Sequence, residues 1–231
     1  MSPVKDKIYP GSAAAVAGIP DGATILLGGF GGVGVPENLL AAMADHPARE
    51  LTIVSNHAGF GERGLAVLFR QRKVRKLICT YAFHPTAFVF REIYMAGEIE
   101  LEQIPQGTMA ERIRAAGAGI PAFYTPTGAG TQATEGKETR LFGGREAILE
   151  LALPGDVAIV KAHRADRMGN LTYRGTAANF NPVMAAAARL TLVETEIIVE
   201  PGEIAPENVH TPSVYVDRVV LGEDLELRSE A

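Results

Sequence analysis

The feature that most constrains this chain is an alternation. Short runs rich in Val, Ile, Leu and Thr occupy residues 24–27, 51–54, 77–80, 100–104, 157–161, 190–193 and 214–220. Between them lie segments with helical spacing at 12–17, 37–43, 65–70, 86–96, 109–116 and 182–188. Strands that take turns with helices of this length predict an open α/β fold, with a mostly parallel sheet covered by helices on both faces. At 231 residues the expected organisation is one domain spanning 1–231. Residues 117–144 break the rhythm with many Gly, Thr and Pro. They predict a small loop-rich lobe of turns and short hairpins, and a stretch of that kind inside a compact domain is often part of a site wall. The last ten residues, 222–231, read as a frayed end.

Composition removes several classes. Hydrophobic residues make up 47% and charged residues 21%, enough apolar material for a full core. The net charge is −5 and no basic block occurs, so nucleic acid is not an expected partner. Cys79 is the single cysteine, which excludes a disulfide within the chain and fits a reducing compartment. Its apolar neighbours predict a buried strand residue rather than a nucleophile. Residues 1–10 lack the apolar core of a signal peptide, and no run reaches the roughly 18 apolar residues of a membrane span. The expected setting is cytoplasmic, with no membrane contact. The five histidines are scattered with no ligand spacing, so no metal site is expected.

The stretch most suggestive of chemistry is 21–36. Asp21-Gly22 turns into a buried run, which opens into Gly28-Gly29-Phe30-Gly31-Gly32-Val33-Gly34, and a helix is expected to start after Pro36. Glycines at the carboxyl end of a strand bare the backbone, and the helix N-terminus beyond adds partial positive charge. Such a loop suits a phosphate, a carboxylate or an oxyanion. The same residues contain GxGxxG. A dinucleotide site also needs an acid about 20 residues on, at the end of the second strand, and this strand runs out into Ser55-Asn56-His57. A plain turn from strand to helix is the blander reading of these glycines.

The order Asp21-Gly22, then Ile25-Leu26-Leu27, Gly28-Gly29-Phe30, Gly34 and Pro36 resembles the signature of family I CoA-transferases, on the chain called the α subunit. The likeness runs on through Pro105-Gln106-Gly107-Thr108, Tyr124-Thr125-Pro126-Thr127-Gly128, Asp166-Arg167-Met168-Gly169-Asn170 and Asn179-Phe180-Asn181-Pro182. It implies transfer of coenzyme A from an acyl-CoA, succinyl-CoA among the candidates, to a carboxylic acid such as a 3-oxoacid. It implies a covalent glutamyl-CoA thioester on a partner, the β subunit, in a heterodimer or heterotetramer. CoA would be a substrate, and no tightly bound cofactor is expected. The Ser-Glu-Asn-Gly setting of the catalytic glutamate does not occur here, so no catalytic residue is expected in this chain. Glu37, in a first helical turn, reads as a complement to the helix dipole.

The resemblance assigns the Gly28–Gly34 run to CoA or to oxyanion stabilisation. It turns Gln106, beside Gly107, toward the acceptor acid. Many relatives have two asparagines where this chain has Asn56-His57, and Phe83-His84-Pro85 sits in a loop expected to face the acceptor. Asn56, His57 and His84 are therefore candidate substrate-binding residues, with backbone-bonded histidines as the plainer alternative. Arg112, Arg114 and Arg140 are candidates for CoA phosphates, although surface arginines are usually just solvated. Two other classes stay open: a non-catalytic binding protein on this fold, and a two-subunit hydrolase that opens a CoA-linked ring.

Overall fold

A computed structural model of the chain describes residues 6–223. The elements run α1 (Ser12–Val16), β1 (Thr24–Leu27), α2 (Glu37–Asp45), β2 (Leu51–His57), α3 (Leu65–Arg70), β3 (Val74–Tyr81), α4 (Phe88–Met95) and β4 (Glu100–Gln103). They continue with α5 (Gln106–Gly117), β5 (Ala122–Thr125), β6 (Thr139–Phe142), β7 (Arg145–Leu151), β8 (Gly155–Asp166), β9 (Leu171–Thr172), α6 (Asn181–Ala185), β10 (Ala188–Val199) and β11 (Arg218–Leu221).

The main sheet has the order β11-β10-β8-β1-β2-β3-β4, every neighbouring pair parallel, and β9 adds antiparallel to β8. Strand side chains alternate between faces. Ile25 and Leu27 point into a core with Leu39, Met43, Leu68, Phe69 and Phe90 from the helices α2 to α4. Leu26 points the other way, into a second core with Met109, Ile113 and Met184 from α5 and α6. Both faces of the sheet are thus covered, and all seven residues of β2 are buried. A fully buried Leu or Ile is worth roughly 1.5–3 kcal/mol relative to exposure, so these two cores dominate the fold's stability.

After β4 the chain crosses to the far side of β1, so the strand order reverses between β1 and β8. In open α/β sheets that reversal leaves a crevice at the strands' carboxyl ends. The glycine run follows β1 there.

Several elements differ from the sequence expectation. The 117–144 region, expected as a small lobe of turns and short hairpins, holds β5 and the first strand of the β6–β7 hairpin; β7, which the alternation does not reveal, joins them in a three-stranded antiparallel sheet in the order β5-β7-β6. The apolar run 214–220 divides into a 3-10 turn at Ser213–Tyr215 and the short β11. The expected helix at 182–188 ends at Ala185, and Ala188 already begins β10. Residues 224–231 of the expected frayed end lie outside the described residues. Among the described residues no helix is long and apolar enough to cross a membrane, and no cluster of His, Cys, Asp and Glu could hold a metal ion.

Candidate functional site

The glycine loop is held open from behind by two asparagines. Asn181, wholly buried at the start of α6, accepts the Lys161 N–H at 3.0 Å and donates to Gly34 O at 3.0 Å and Ala177 O at 2.9 Å. A Cβ on Gly28 would fall on the Asn181 amide oxygen, so only glycine fits that place. Asn179 accepts the Gly29 N–H at 3.1 Å and donates to Val33 O at 3.1 Å. Gly28 N–H continues the β1–β8 ladder to Ile159 O, and Phe30 and Val33 bond each other reciprocally. The N–H groups of Gly28, Gly29, Phe30 and Val33 are therefore spent inside the protein. Those of Gly31, Gly32 and Gly34 have no partner among the described residues.

The helix after the loop also differs from expectation. Its start carries no side-chain cap from its own turn. Instead Glu194 of β10, wholly buried, accepts the Asn38 N–H at 2.8 Å, the Leu39 N–H at 3.2 Å and the Asn38 side-chain amide at 3.1 Å. Lys161 lies 3.4 Å from the same carboxylate. The partial positive charge of α2 is thus answered by an internal acid and is not offered to a ligand. Glu37 sits in the first turn of α2 as expected, its carboxylate packed against Gly64.

The other side of the site comes from the ends of β2 and β3. Asn56 accepts a bond from Gln106 Nε2 at 2.7 Å and from Thr80 Oγ1 at 3.0 Å. This orients the Asn56 side chain and leaves its Nδ2 group without a protein partner among the described residues. Gln106 is not in a loop but in the first turn of α5, a twelve-residue helix whose start has no side-chain cap. The helix end that can favour an anion is therefore that of α5. Thr108, buried in the same turn, has an Oγ1 with no partner among the described residues.

His57 Nδ1 accepts the Gly59 N–H at 3.0 Å, which places the proton of the neutral ring on Nε2. Burial pushes its pKa down to about 4, the neighbouring His84 adds to the fall, and the Gly31 backbone opposes it. His84 pairs through Nδ1 with Thr86 Oγ1 at 2.9 Å, while its buried Nε2 has no partner among the described residues. Burial lowers its pKa, and the Gly59 backbone pulls the other way without closing a bond to Nε2.

These pieces meet in one cleft of about 390 Å³ lined by Phe30, Gly31, Asn56, His57, Phe60, Tyr81, His84 and Gln106. Six of the residues singled out in the sequence converge there. Gly28, Gly29, Gly32, Val33, Gly34 and Gly107 lie outside its wall. Phe60 and Tyr81 were not legible as site residues, although Gly59-Phe60-Gly61 repeats the Gly29-Phe30-Gly31 pattern one strand further on. Among the described residues no Asp, Glu, Lys or Arg lines the cleft. A larger depression of about 570 Å³ lies at the far end of α2, against the strands' amino ends. Its Lys73 is spent on the Met43 and His46 carbonyls that close α2.

The arginines are engaged elsewhere. Arg112 bonds Glu102 and Leu151 O, Arg114 bonds Glu111, and Arg140 bonds Glu138 while lying over the Tyr124 ring. Cys79 is a buried strand residue whose thiol burial pushes up to about 12, which leaves no thiolate for attack.

The chain is thus an open α/β protein with a doubly covered parallel sheet, a glycine loop at the point where the strand order reverses, and beside it a cleft lined by aromatic rings and two side-chain amides. The coenzyme A transferase family model matches residues 11–222, and the chain belongs to that family. It is 51% identical to the α subunit of the 3-oxoadipate CoA-transferase of Pseudomonas putida, over 93% of each chain. It is 49% identical to the corresponding subunit of the probable succinyl-CoA:3-ketoacid coenzyme A transferase of Bacillus subtilis (strain 168), over 97% of this chain and 93% of that one. The crystal structure of glutaconate coenzyme A-transferase from Acidaminococcus fermentans shares the fold at a TM-score of 0.84, with 22% identity over 94% of this chain and 76% of that one.

Proposed function

We propose that this chain is the α subunit of a two-subunit CoA-transferase that moves CoA from an acyl-CoA, succinyl-CoA in the first instance, to a 3-oxoacid. The observation that carries this reading is the meeting of Asn56 and Gln106 with the Phe30–Gly31 turn in one cleft, in a chain half identical to such a subunit over almost its whole length. The acceptor's carboxylate is held by the Asn56 Nδ2 group, the remaining amide functions of Gln106 and the open start of α5. The N–H groups of Gly31, Gly32 and Gly34 are the donors left for an acyl oxygen or for CoA.

Among the described residues the cleft wall holds no carboxylate, so the nucleophile comes from the partner, the β subunit. A glutamate there attacks the thioester carbonyl, and CoA leaves as the thiolate with the bonding pair. The thiolate then attacks the glutamyl carbonyl of the resulting anhydride and releases the donor acid as a carboxylate. The acceptor repeats these steps in reverse on the glutamyl-CoA. Each tetrahedral oxyanion needs fixed donors in a site that excludes bulk water. In this reading the chain is one domain with a small antiparallel lobe, works in the cytoplasm, and holds CoA as substrate rather than as a resident group.

The test is co-expression with a chain carrying Ser-Glu-Asn-Gly, followed by an assay with succinyl-CoA and a panel of acids. The pair is expected to transfer CoA and to yield a glutamyl-CoA adduct on the partner. Full transfer by this polypeptide alone refutes the reading.

A further inference from the structure

The surface beside the cleft carries a row of uncovered apolar side chains, and what covers it follows from the transferase reading of the site, on which this inference rests. Single exposed apolar residues are ordinary, but a contiguous row marks an interaction surface. Phe30, Phe60 and Tyr81 rim the cleft, and all three rings stay more than a third exposed. The row does not stop at the mouth. Past the end of β3 burial alternates: Ala82 and His84 are buried, whereas Tyr81 and Phe83 are exposed. The half-exposed Phe83 ring packs on Phe90 at 6.1 Å and on Tyr94 at 5.4 Å between centroids, which carries the row onto α4.

Helix α4 has two faces. Val89, Phe90 and Ile93 are buried against the core. Phe88 and Met95, about two turns apart, share the opposite face, and Met95 is 77% exposed. Arg91 and Glu92 stand between them, exposed and in no ion pair among the described residues. A helix that ends its packing on one side keeps its other face polar. An outer face with Phe at one end and Met at the other, in line with a row of rings, has the Phe, Tyr, Met and Arg content of an interface core. The occupant follows from the cleft. Its wall holds no carboxylate among the described residues, so the nucleophile enters on a second chain, which must lie over the mouth. A surface continuous with the mouth is covered by that same chain. A second copy of this polypeptide does not serve, because it has no Ser-Glu-Asn-Gly segment to present. Leu141, Phe142 and Leu151 on the antiparallel lobe form a separate apolar patch, with no ring contact to this row among the described residues.

We infer that the β subunit docks on a strip that runs from the cleft mouth over Phe83 and along the outer face of α4. Phe88, Tyr94 and Met95 are its apolar anchors, and Arg91 and Glu92 meet groups of opposite sign on the partner. The helix lengthens the contact by about 12 Å beyond the mouth, toward the roughly 800 Å² per side of a stable interface. Docking and chemistry are thereby coupled: the apolar seal that holds the partner also keeps bulk water from the thioester and anhydride.

The test uses the full chain co-expressed with the β subunit and purified as the complex. Sedimentation velocity over a dilution series gives the dissociation constant, and CoA transfer is assayed with and without added β subunit. Met95→Glu, which puts a charge into the apolar contact, is expected to raise the dissociation constant at least about tenfold. Arg91→Glu, which reverses one rim charge, is expected to raise it at least about threefold. Activity lost on dilution is expected to return with excess β subunit, with kcat at saturation equal to that of wild type. Leu141→Glu, comparably exposed at 73% on the lobe, is the control and is expected to leave the constant unchanged. If Met95→Glu lowers the thermal midpoint, Arg91→Glu decides alone. An unchanged constant overturns the inference, as does an equal loss in Leu141→Glu. It is also overturned if Met95→Glu abolishes self-association of this chain while the β subunit still binds normally, since the strip then belongs to a second copy. A wild-type complex that transfers no CoA refutes the transferase reading and this inference with it, whereas a transferring complex indifferent to these substitutions removes only the inference.

Discussion

Acidification should act on this protein through His57. The ring is buried, its Nδ1 is committed to the Gly59 N–H, and its pKa falls from 6.5 to about 4. Between those two values the unfolded chain holds a proton on this residue and the folded chain does not. The unfolded state binds more protons, so stability falls as pH falls through that window. It is complete above pH 6.5 and levels off below about pH 4. The span between the two values, at about 1.4 kcal/mol per unit, makes the loss ~3 kcal/mol, a large share of a domain's margin. His57→Asn isolates the effect. An asparagine oxygen can take the place of Nδ1 and keep the Gly59 bond, but it does not titrate. Denaturant midpoints of wild type and variant, measured side by side from about pH 7.5 to about pH 4.5, should diverge. The wild type should lose stability steeply, and the variant should keep only the shallower slope set by other groups. Parallel curves would show that the buried imidazole does not stay neutral in the folded state, and the argument from its burial would fail.

Three further outcomes follow from the contacts around the loop and cleft. Gly28→Ala must displace the Asn181 amide from its bonds to Lys161 and Gly34, and is expected to cost about 3 kcal/mol, read as a fall in thermal midpoint. Glu194→Gln weakens the acceptor for the Asn38 and Leu39 N–H groups and leaves the Lys161 ammonium unbalanced, a loss of about 2 kcal/mol measurable by denaturation. Gln106→Ala removes one of the proposed carboxylate contacts and leaves Asn56 Oδ1 held by Thr80 Oγ1 alone, so kcat/KM for the acceptor acid should fall by roughly 10- to 100-fold with the thermal midpoint unchanged.

The parts of this protein legible in the sequence are those that depend on neighbours along the chain. The strands at 24–27 and 51–54 and the helix at 65–70 announce themselves through local apolar spacing, and the glycine run through its composition. Strand β7 escapes because Arg145, Glu146 and Glu150 interrupt its apolar residues, although Glu150 is buried in the fold. Gln106 reads as a loop residue because Pro105 ends β4's approach and Gly107 follows; its place in a first helical turn depends on where α5 packs. The internal answer to the α2 dipole could not be read at all. Glu194 lies 156 positions from Asn38, and nothing local marks it as a helix cap. The same distance hides Asn179 and Asn181 as the braces that decide which glycine donors stay free.

That long reach across the chain also sets a timetable for the ribosome. The loop at 28–34 emerges early, but what props it open arrives only with Asn179 and Asn181, and its adjoining helix is secured only by Glu194. Strand β1 likewise waits for β8 before it is flanked on both sides. The nascent chain must therefore carry a bare, glycine-rich segment unbraced until residues 179–194 have been made. A truncation anywhere before residue 179 would leave a sheet fragment whose glycine loop lacks the two asparagines that brace it.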